Sequence, residues 1–157
     1  MSKSLRRVTA ALQAAGLDIV PLEMAAETRT AAQAAAAADC TVDQIAKSIV
    51  FQRADSGDVV LFITAGGRQV DPDRAAQVAG TALVRADADA VRGRTGFAIG
   101  GVSPVGHLAP VATYMDTTLM IFDTVWAAAG TPRHIFAVAP ADLLRISGAT
   151  LADFSRG

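Results

Sequence analysis

Apolar residues recur along the chain with two different periods, which predicts helices alternating with short strands. Near the start, Leu5, Val8 and Leu12 fall on one helical face, and Gly16 follows as a residue suited to a left-handed helix end. This spacing predicts a first helix over residues 4–15. Capping residues and apolar spacing predict further helices over 31–38, 42–46, 72–80, 87–91 and 140–146.

Runs of β-branched and apolar residues predict the strands. Residues 48–52 and 59–64 flank a polar loop that contains Gly57, as in a hairpin. Other strands are predicted over 17–22, 81–85, 96–99, 112–116, 119–122, 124–128 and 134–138. Because strands come both as hairpins and interleaved with helices, we predict a mixed α/β (α+β) fold, a curled mixed sheet or partial barrel with helices packed on it. Residues 1–157 contain no repeat or linker and are expected to form one domain.

Composition narrows the class of protein. Hydrophobic residues make up 52% of the chain and its formal net charge is −1, so neither a disordered segment nor a DNA-binding protein is expected. The single cysteine, Cys40, excludes an internal disulfide, and we expect no metal or cofactor. The basic start resembles a signal peptide, but Gln13 and Asp18 interrupt its apolar stretch. No segment approaches the length of a membrane span, so we expect a cytoplasmic protein without a membrane partner.

A glycine-rich turn over residues 100–106 is the first candidate for chemistry. Gly100 and Gly101 free the backbone to take positive φ and to present N–H groups, and Pro104 fixes the exit. Such a turn can hold a carbonyl or phosphate oxygen, although it is more often a tight connection in a sheet. It matches neither the P-loop pattern nor the dinucleotide-binding pattern.

Lys47 is the second candidate. Of the fourteen Lys and Arg residues only Lys3 and Lys47 are lysines, and a lysine amine has an adjustable pKa that a guanidinium lacks. The simpler interpretation is an exposed residue at a helix C-terminus. His107 and His134 lack metal-ligand spacing, and a serine triad around Ser103 stays open although Ser103 precedes proline.

These segments together resemble the YbaK/ProX family of aminoacyl-tRNA deacylases. Residues 44–51 resemble its lysine segment, residues 66–71 its next block, and residues 100–106 its Gly-x-x-x-Pro loop. Residues 114–116 and 122–144 resemble its C-terminal part, so the similarity extends from about residue 10 to residue 154. The family includes free-standing editing proteins and the editing domain of bacterial prolyl-tRNA synthetases.

The resemblance implies hydrolysis of the ester that joins a wrong amino acid to the terminal ribose of a tRNA. It assigns catalytic roles to Lys47, which would hold the substrate, and to Gly100 and Gly101, whose N–H groups would stabilise the carbonyl oxygen. The residues expected to bind substrate are Ile45, Thr64, Ser103, Pro104, Gly106 and Asp116, with Phe62 and Met115 as further pocket candidates. The family supplies no obvious protein base, and the free ribose hydroxyl is expected to position the water.

We therefore predict a free-standing deacylase for tRNA mischarged with a small amino acid of the cysteine, alanine, serine or threonine class. Its partner would be the acceptor end of that tRNA, with a synthetase as a further candidate. A non-catalytic module that binds tRNA ends or a synthetase is the alternative, and a generic small-molecule pocket is a third interpretation. The arginines predicted to form a basic rim, as opposed to scattered surface charge, are Arg53, Arg68, Arg92, Arg94 and Arg133. The deacylase hypothesis requires the Lys47 amine and the Gly100–Gly101 amides to share one pocket.

Overall fold

The computed structural model describes residues 2–157, which form helices packed on a mixed sheet. The helices are α1 (Lys3–Ala14), α2 (Ala31–Ala38), α3 (Pro72–Ala79), α4 (Ala88–Thr95) and α5 (Pro140–Ser147). The strands are β1 (Leu22–Glu23), β2 (Ile45–Arg53), β3 (Val59–Ala65), β4 (Gln69–Val70), β5 (Leu83–Arg85), β6 (Ala112–Asp116), β7 (Val125–Ala128), β8 (His134–Val138), β9 (Thr150–Ala152) and β10 (Ser155–Arg156). Single 3₁₀ segments lie at Val42–Gln44 and Thr117–Ile121.

The main sheet runs in the order β1-β8-β7-β2-β3-β6-β9, with β5 also paired to β2, and β10 pairs with β4 separately. Antiparallel pairs such as β2–β3 occur beside parallel pairs such as β3–β6. The predicted mixed sheet with packed helices is therefore confirmed. No helix within residues 2–157 is long and apolar enough to cross a membrane.

The central strand β3 is buried along its whole length because the sheet is covered on both faces. Leu61 and Ile63 belong to the main core, which also contains Val8 and Leu12 of α1. Phe62 faces the other way and forms a second cluster, in which its ring lies 4.8 Å from that of Phe154. This packing fixes β3, and through it the neighbouring strand β2.

Strand β2 pairs with β3 along one edge, but two short strands share its other edge. β7 runs parallel to it at Ile45 and Ala46, and β5 runs antiparallel to it from Phe51 onward. Among the strands of residues 2–157, none pairs with residues 47–50 on that edge. Since alternate residues of a strand direct N–H and C=O groups to each side, this gap presents main-chain polar groups beside the sheet.

Most predicted helix starts are confirmed by their caps. The Thr30 hydroxyl accepts a hydrogen bond from the Gln33 N–H at 3.1 Å, and the Gln33 side chain accepts from the Thr30 N–H at 3.2 Å. The Asp71 carboxylate accepts from the Asp73 and Arg74 N–H groups at the start of α3. These local bonds stabilise a helix end wherever it lies in the fold, which is why the sequence predicts them.

The helix predicted over 42–46 is wrong, and this changes the place of Lys47. The predicted pairing of Thr41 with Gln44 exists, with the Thr41 N–H donating to the Gln44 side chain at 3.1 Å, but it closes one 3₁₀ turn only. Ile45 then pairs with Trp126 of β7, so the chain is already extended. Lys47 is consequently a strand residue and not the last residue of a helix.

Three predicted strands differ from the structure. Of residues 17–22, only Leu22 pairs in a strand, although Leu17 and Ile19 pack against the core. Residues 96–99 form a loop, because α4 extends to Thr95 and the Gly96 φ of 82° ends it. Residues 119–121 belong to a 3₁₀ segment that ends before Phe122, and the Asp116 side chain accepts a hydrogen bond from the Thr118 N–H at its start. Strands β4, β9 and β10 were not predicted, because two or three residues carry no periodicity.

Candidate functional site

A cavity of about 390 Å³ lies beside the gap in the edge of β2. Most of its wall is apolar and includes Ile45, Val102 and Trp126. The polar residues that line it are Thr28, Arg29, Thr30, Lys47, Ser48 and Arg85. A mostly apolar cavity with a few polar groups is the usual form of a small-molecule site.

The cavity reaches both faces of the sheet at β2. Side chains alternate along a strand, so Ile45 and Lys47 belong to one face and Ser48 and Val50 to the other. On the first face Ile45 packs with Ala34 of α2. On the second, Val50 packs against the core that contains Val102. The Ser48 hydroxyl oxygen on that face is buried without a hydrogen-bond partner among residues 2–157.

The Lys47 amine is held by two main-chain carbonyls at the end of β3. Its Nζ donates to the Gly66 oxygen at 3.1 Å and to the Arg68 oxygen at 2.5 Å. An ammonium has three N–H donors, so one remains for a ligand. Burial lowers the pKa of the Lys47 amine, and the nearby carboxylates of Asp43 and Asp116 act in the opposite direction.

The turn that holds Lys47 is itself fixed by two carboxylates. The Asp43 Oδ1 accepts a hydrogen bond from the Gly67 N–H at 2.8 Å, and the Asp116 Oδ2 accepts one from the Ala65 N–H at 3.2 Å. A Cβ at Gly66 would lie 2.2 Å from the Val42 oxygen. The turn therefore packs so closely on the Val42–Gln44 segment that only glycine fits at position 66.

The glycine-rich turn belongs to a longer loop, residues 96–106, which we call the glycine segment. Gly100 lines the cavity with a φ of 88°. The Gly101 N–H donates to the Ala98 oxygen at 3.0 Å, so this predicted donor is already used inside the loop. Within residues 2–157, no acceptor is found for the N–H groups of Gly100 and Val102. The N–H of Ile99, which also lines the cavity, has no acceptor within residues 2–157 either, so Gly100 and Val102 supply two of the three donors that lining residues of the loop offer.

Of the predicted site residues, the structure brings Lys47, Ile45 and Gly100 to one cavity. The others do not line it among residues 2–157: Gly101, Thr64, Ser103, Pro104, Gly106 and Asp116. The pocket candidates Phe62 and Met115 are also fully buried outside it. The Thr64 hydroxyl donates to the Phe62 oxygen, and the Asp116 carboxylate caps two main-chain N–H groups. Their contacts are those of residues that hold the fold around the site.

The histidines take part in local structure. The His107 Nε2 donates to the Ser103 oxygen at 2.7 Å, and burial lowers the pKa of the His107 imidazole. The Ser103 hydroxyl accepts from the Val105 N–H at 3.3 Å, in a fully buried position. The His134 Nδ1 lies 2.6 Å from the Thr131 hydroxyl. Ser103 therefore has no histidine at its hydroxyl, and the contacts do not form a serine triad.

The structure does not bring the five predicted rim arginines to the cavity. Arg53 pairs with the Asp55 carboxylate at 2.9 Å, Arg68 donates to the Ser155 hydroxyl at 2.7 Å, and Arg133 donates to the Ala25 oxygen at 2.9 Å. Arg92 and Arg94 lie in the last turn of α4. The arginines that line the cavity are instead Arg29 and Arg85. Trp126, the one tryptophan of the chain, also lines it. Sequence reasoning missed all three because no local pattern distinguishes them.

Comparison with known proteins places the chain in a family. A model of the aminoacyl-tRNA editing domain matches residues 25–146. The uncharacterized protein YwhH of Bacillus subtilis (strain 168) is 30% identical over 125 residues, which cover 80% of this chain and 79% of that protein. A solved structure of a protein proposed to be a trans-editing enzyme for prolyl-tRNA synthetase is 43% identical, with a TM-score of 0.92 over 100% of this chain and 99% of that one. The hypothetical protein APE2540 is 27% identical, with a TM-score of 0.87 over 96% of this chain and 99% of that one. The chain belongs to the family of aminoacyl-tRNA editing domains.

Proposed function

We propose that this protein is a free-standing hydrolase that deacylates tRNA mischarged with a small amino acid of the cysteine, alanine, serine or threonine class. The observation that carries the proposal is one cavity with Lys47 and Gly100 in its wall, in a member of the editing-domain family. The similarity to a proposed trans-editing enzyme for prolyl-tRNA synthetase supports action outside a synthetase.

The reaction is hydrolysis of the aminoacyl ester. A water oxygen attacks the ester carbonyl carbon, the bond from that carbon to the ribose oxygen breaks, and a proton from the water passes to the leaving ribose oxygen. Negative charge develops on the carbonyl oxygen, where the N–H groups of Gly100 and Val102 stabilise it as preorganised donors. The Lys47 amine, anchored on two carbonyls, directs its remaining N–H to the substrate. The free ribose hydroxyl beside the ester positions the water.

The walls of the cavity favour a small side chain on the substrate. Ala31, Ala34 and Ala127 contribute methyl groups, and Trp126 limits the space beside β7. A small amino acid side chain fits a cavity with such walls. The cavity discriminates only weakly against a still smaller side chain, because one missing methylene changes the binding free energy by only about 1–3 kcal/mol.

A panel of mischarged tRNAs tests the proposal. The panel contains tRNAPro charged with alanine, cysteine, serine or proline, and tRNAs for other amino acids charged with the same small residues. We expect faster release of a small amino acid from at least one mischarged tRNA and no acceleration on correctly charged prolyl-tRNAPro. If the protein binds these tRNAs without accelerating any release, the non-catalytic binding module becomes the correct interpretation.

Gly100→Ala separates the role of the turn from simple backbone strain. Alanine at this position has open space but an unfavourable φ, at a cost of roughly 1–2 kcal/mol. We expect kcat to fall roughly 100-fold, because a loop shifted by about 1 Å misplaces its donors. Gly80→Ala is the matched control, since Gly80 has a φ of 79°, open surroundings and a place at the end of α3. If both variants lose the same stability but only Gly100→Ala loses activity, the result supports a role of Gly100 in the reaction. Equal activities of the two variants contradict that role.

The two arginines of the cavity wall give a prediction about tRNA binding. Arg29 pairs only with an exposed Glu27, and among residues 2–157 no acidic side chain pairs with Arg85. We expect the double variant Arg29→Gln/Arg85→Gln to raise KM at unchanged kcat. The slope of the logarithm of the tRNA binding constant against the logarithm of salt concentration should become shallower by about 1.4, which is about 0.7 for each of two lost phosphate contacts. Arg145→Gln, which removes an exposed arginine of α5, is the control. An unchanged slope in the double variant excludes phosphate contacts at these positions.

A further inference from the structure

Arg7 of α1 joins the two ends of the glycine segment. Its Nη2 donates to the Gly96 oxygen at 2.8 Å, and its Nε donates to the Gly106 oxygen at 3.2 Å. Its guanidinium carbon also lies 4.9 Å from the centre of the Phe97 ring. One side chain therefore holds both ends of the loop through main-chain oxygens, far from Arg7 in sequence.

The ends of the glycine segment fit closely around Arg7. A Cβ at Gly96 would lie 2.4 Å from the Arg7 Nη2, and a Cβ at Gly106 would lie 3.1 Å from the Arg7 main chain. Both residues also have positive φ, 82° and 79°. The positive φ favours glycine at both ends, and a side chain at position 96 would displace the Arg7 guanidinium, so α1 serves as the surface on which the loop is shaped.

The tip of the loop, residues 98–100, is exposed and has few contacts of its own. Beyond the base, the Gly101 N–H bond to the Ala98 oxygen is its one main-chain hydrogen bond within residues 2–157, and Ile99 is 54% exposed. The base is closed by N–H groups of Leu108 and Ala109 on oxygens of Thr95 and Arg94, each at 3.2 Å. Val102 is 4% exposed and packs in the main core, so it is the position of Gly100 in the cavity wall that depends on how the base is held.

We propose that Arg7 is a positioning residue that aligns the Gly100 amide with the cavity. The inference rests on the proposed deacylation, because it assigns Arg7 to the transition-state contacts of that reaction. The planar guanidinium suits this task, since its N–H donors diverge at fixed angles and reach both oxygens at once. A lysine amine is a compact donor group at a single point and does not span the two carbonyls in the same way.

Arg7→Met tests the assignment through a split between kcat and KM. Methionine retains an unbranched apolar side chain for packing on Phe97 but donates no hydrogen bond. We expect kcat to fall about 10- to 100-fold with KM little changed, because only contacts that form in the transition state are lost. Arg7→Lys should recover a minor part of kcat. Arg145→Met is the control, because Arg145 also donates to a main-chain oxygen near α1, that of Ala15, but outside the site.

Chemical rescue distinguishes positioning from general destabilisation. In Arg7→Ala, guanidinium chloride at millimolar, non-denaturing concentration should restore part of kcat, whereas sodium chloride at the same ionic strength should not. A structural role alone predicts a lower Tm with the kcat of the folded enzyme unchanged, and that result overturns the proposal.

An experiment without substrate keeps the test independent of the proposed function. In amide NMR spectra, Arg7→Met should shift the Gly100 amide signal and accelerate its exchange, as well as those of the amides next to Gly96 and Gly106. Changes confined to the two ends of the glycine segment contradict the proposal. Absence of deacylation by the unmodified protein contradicts the proposed function instead, so the two failures are distinguishable.

Discussion

Lys47→Met is expected to lower kcat/KM for deacylation by about 10²–10³-fold, the usual effect of removing one preorganised donor from a charged transition state. Methionine matches the length of the lysine stem but leaves the Gly66 and Arg68 oxygens without their donor. The measurement is single-turnover release of the amino acid from the tRNA that the panel identifies. Activity of the variant within a few fold of the original protein would show that Lys47 holds the β3–β4 turn and does not act on substrate.

Two further measurements make the Lys47 result specific. The stability of Lys47→Met must be determined, because each lost hydrogen bond costs about 1 kcal/mol. Lys47→Arg keeps the charge but places a broad planar group between two carbonyls, so it should not restore the rate. Activity should also fall on raising pH sooner than for an ordinary lysine, because burial lowers the pKa of the amine and the ammonium is the form that donates three N–H groups. The pH profile is measured after subtraction of uncatalysed ester hydrolysis.

Gly66→Ala is expected to be the most destabilising small substitution near the site. The added Cβ would lie 2.2 Å from the Val42 oxygen and 3.0 Å from the Ala31 Cβ, so main chain must move. Overpacking of this kind costs about 3 kcal/mol or more when backbone blocks relaxation. For a chain of this size the Tm should fall by roughly 6–12 °C. Movement of position 66 also displaces one acceptor of the Lys47 amine, so activity should fall in the fraction that still folds.

Gly93→Ala is the matched control for that prediction. Gly93 lies inside α4 with nothing within 4 Å of a Cβ, so alanine should stabilise the helix by about 0.5–1 kcal/mol. Thermal and urea unfolding, followed by circular dichroism and by the fluorescence of Trp126, measure both variants. A Tm for Gly66→Ala within two degrees of the original would mean that the turn and the Val42–Gln44 segment separate easily, which the close packing argues against.

The features that sequence predicts correctly are those that depend on neighbouring residues. The cap of Thr30 on α2, the Asp71–Pro72 start of α3 and the β2–β3 hairpin involve residues close in sequence, so local energetics predict them. Residue types and spacing made Lys47 and the glycine-rich turn separate candidates, the family resemblance led us to expect them in one site, and the family itself is now shown. The incorrect helix over residues 42–46 also came from local reasoning. A cap specifies where a helix starts, whereas the pairing of Ile45 with the distant Trp126 decides where this one stops.

The construction of the site depends on contacts between segments that are distant in sequence. The cavity exists because β7 and β5 both pair with β2 and leave residues 47–50 between them. The Lys47 amine is held by oxygens 19 and 21 residues away, and Arg7 reaches carbonyls 89 and 99 residues away. The Gly101 N–H, which the sequence suggests as a donor to substrate, donates to an oxygen inside the loop, while the Val102 N–H has no acceptor within residues 2–157. Local preferences contain no information on such contacts, because each forms only after the sheet has brought separate segments together.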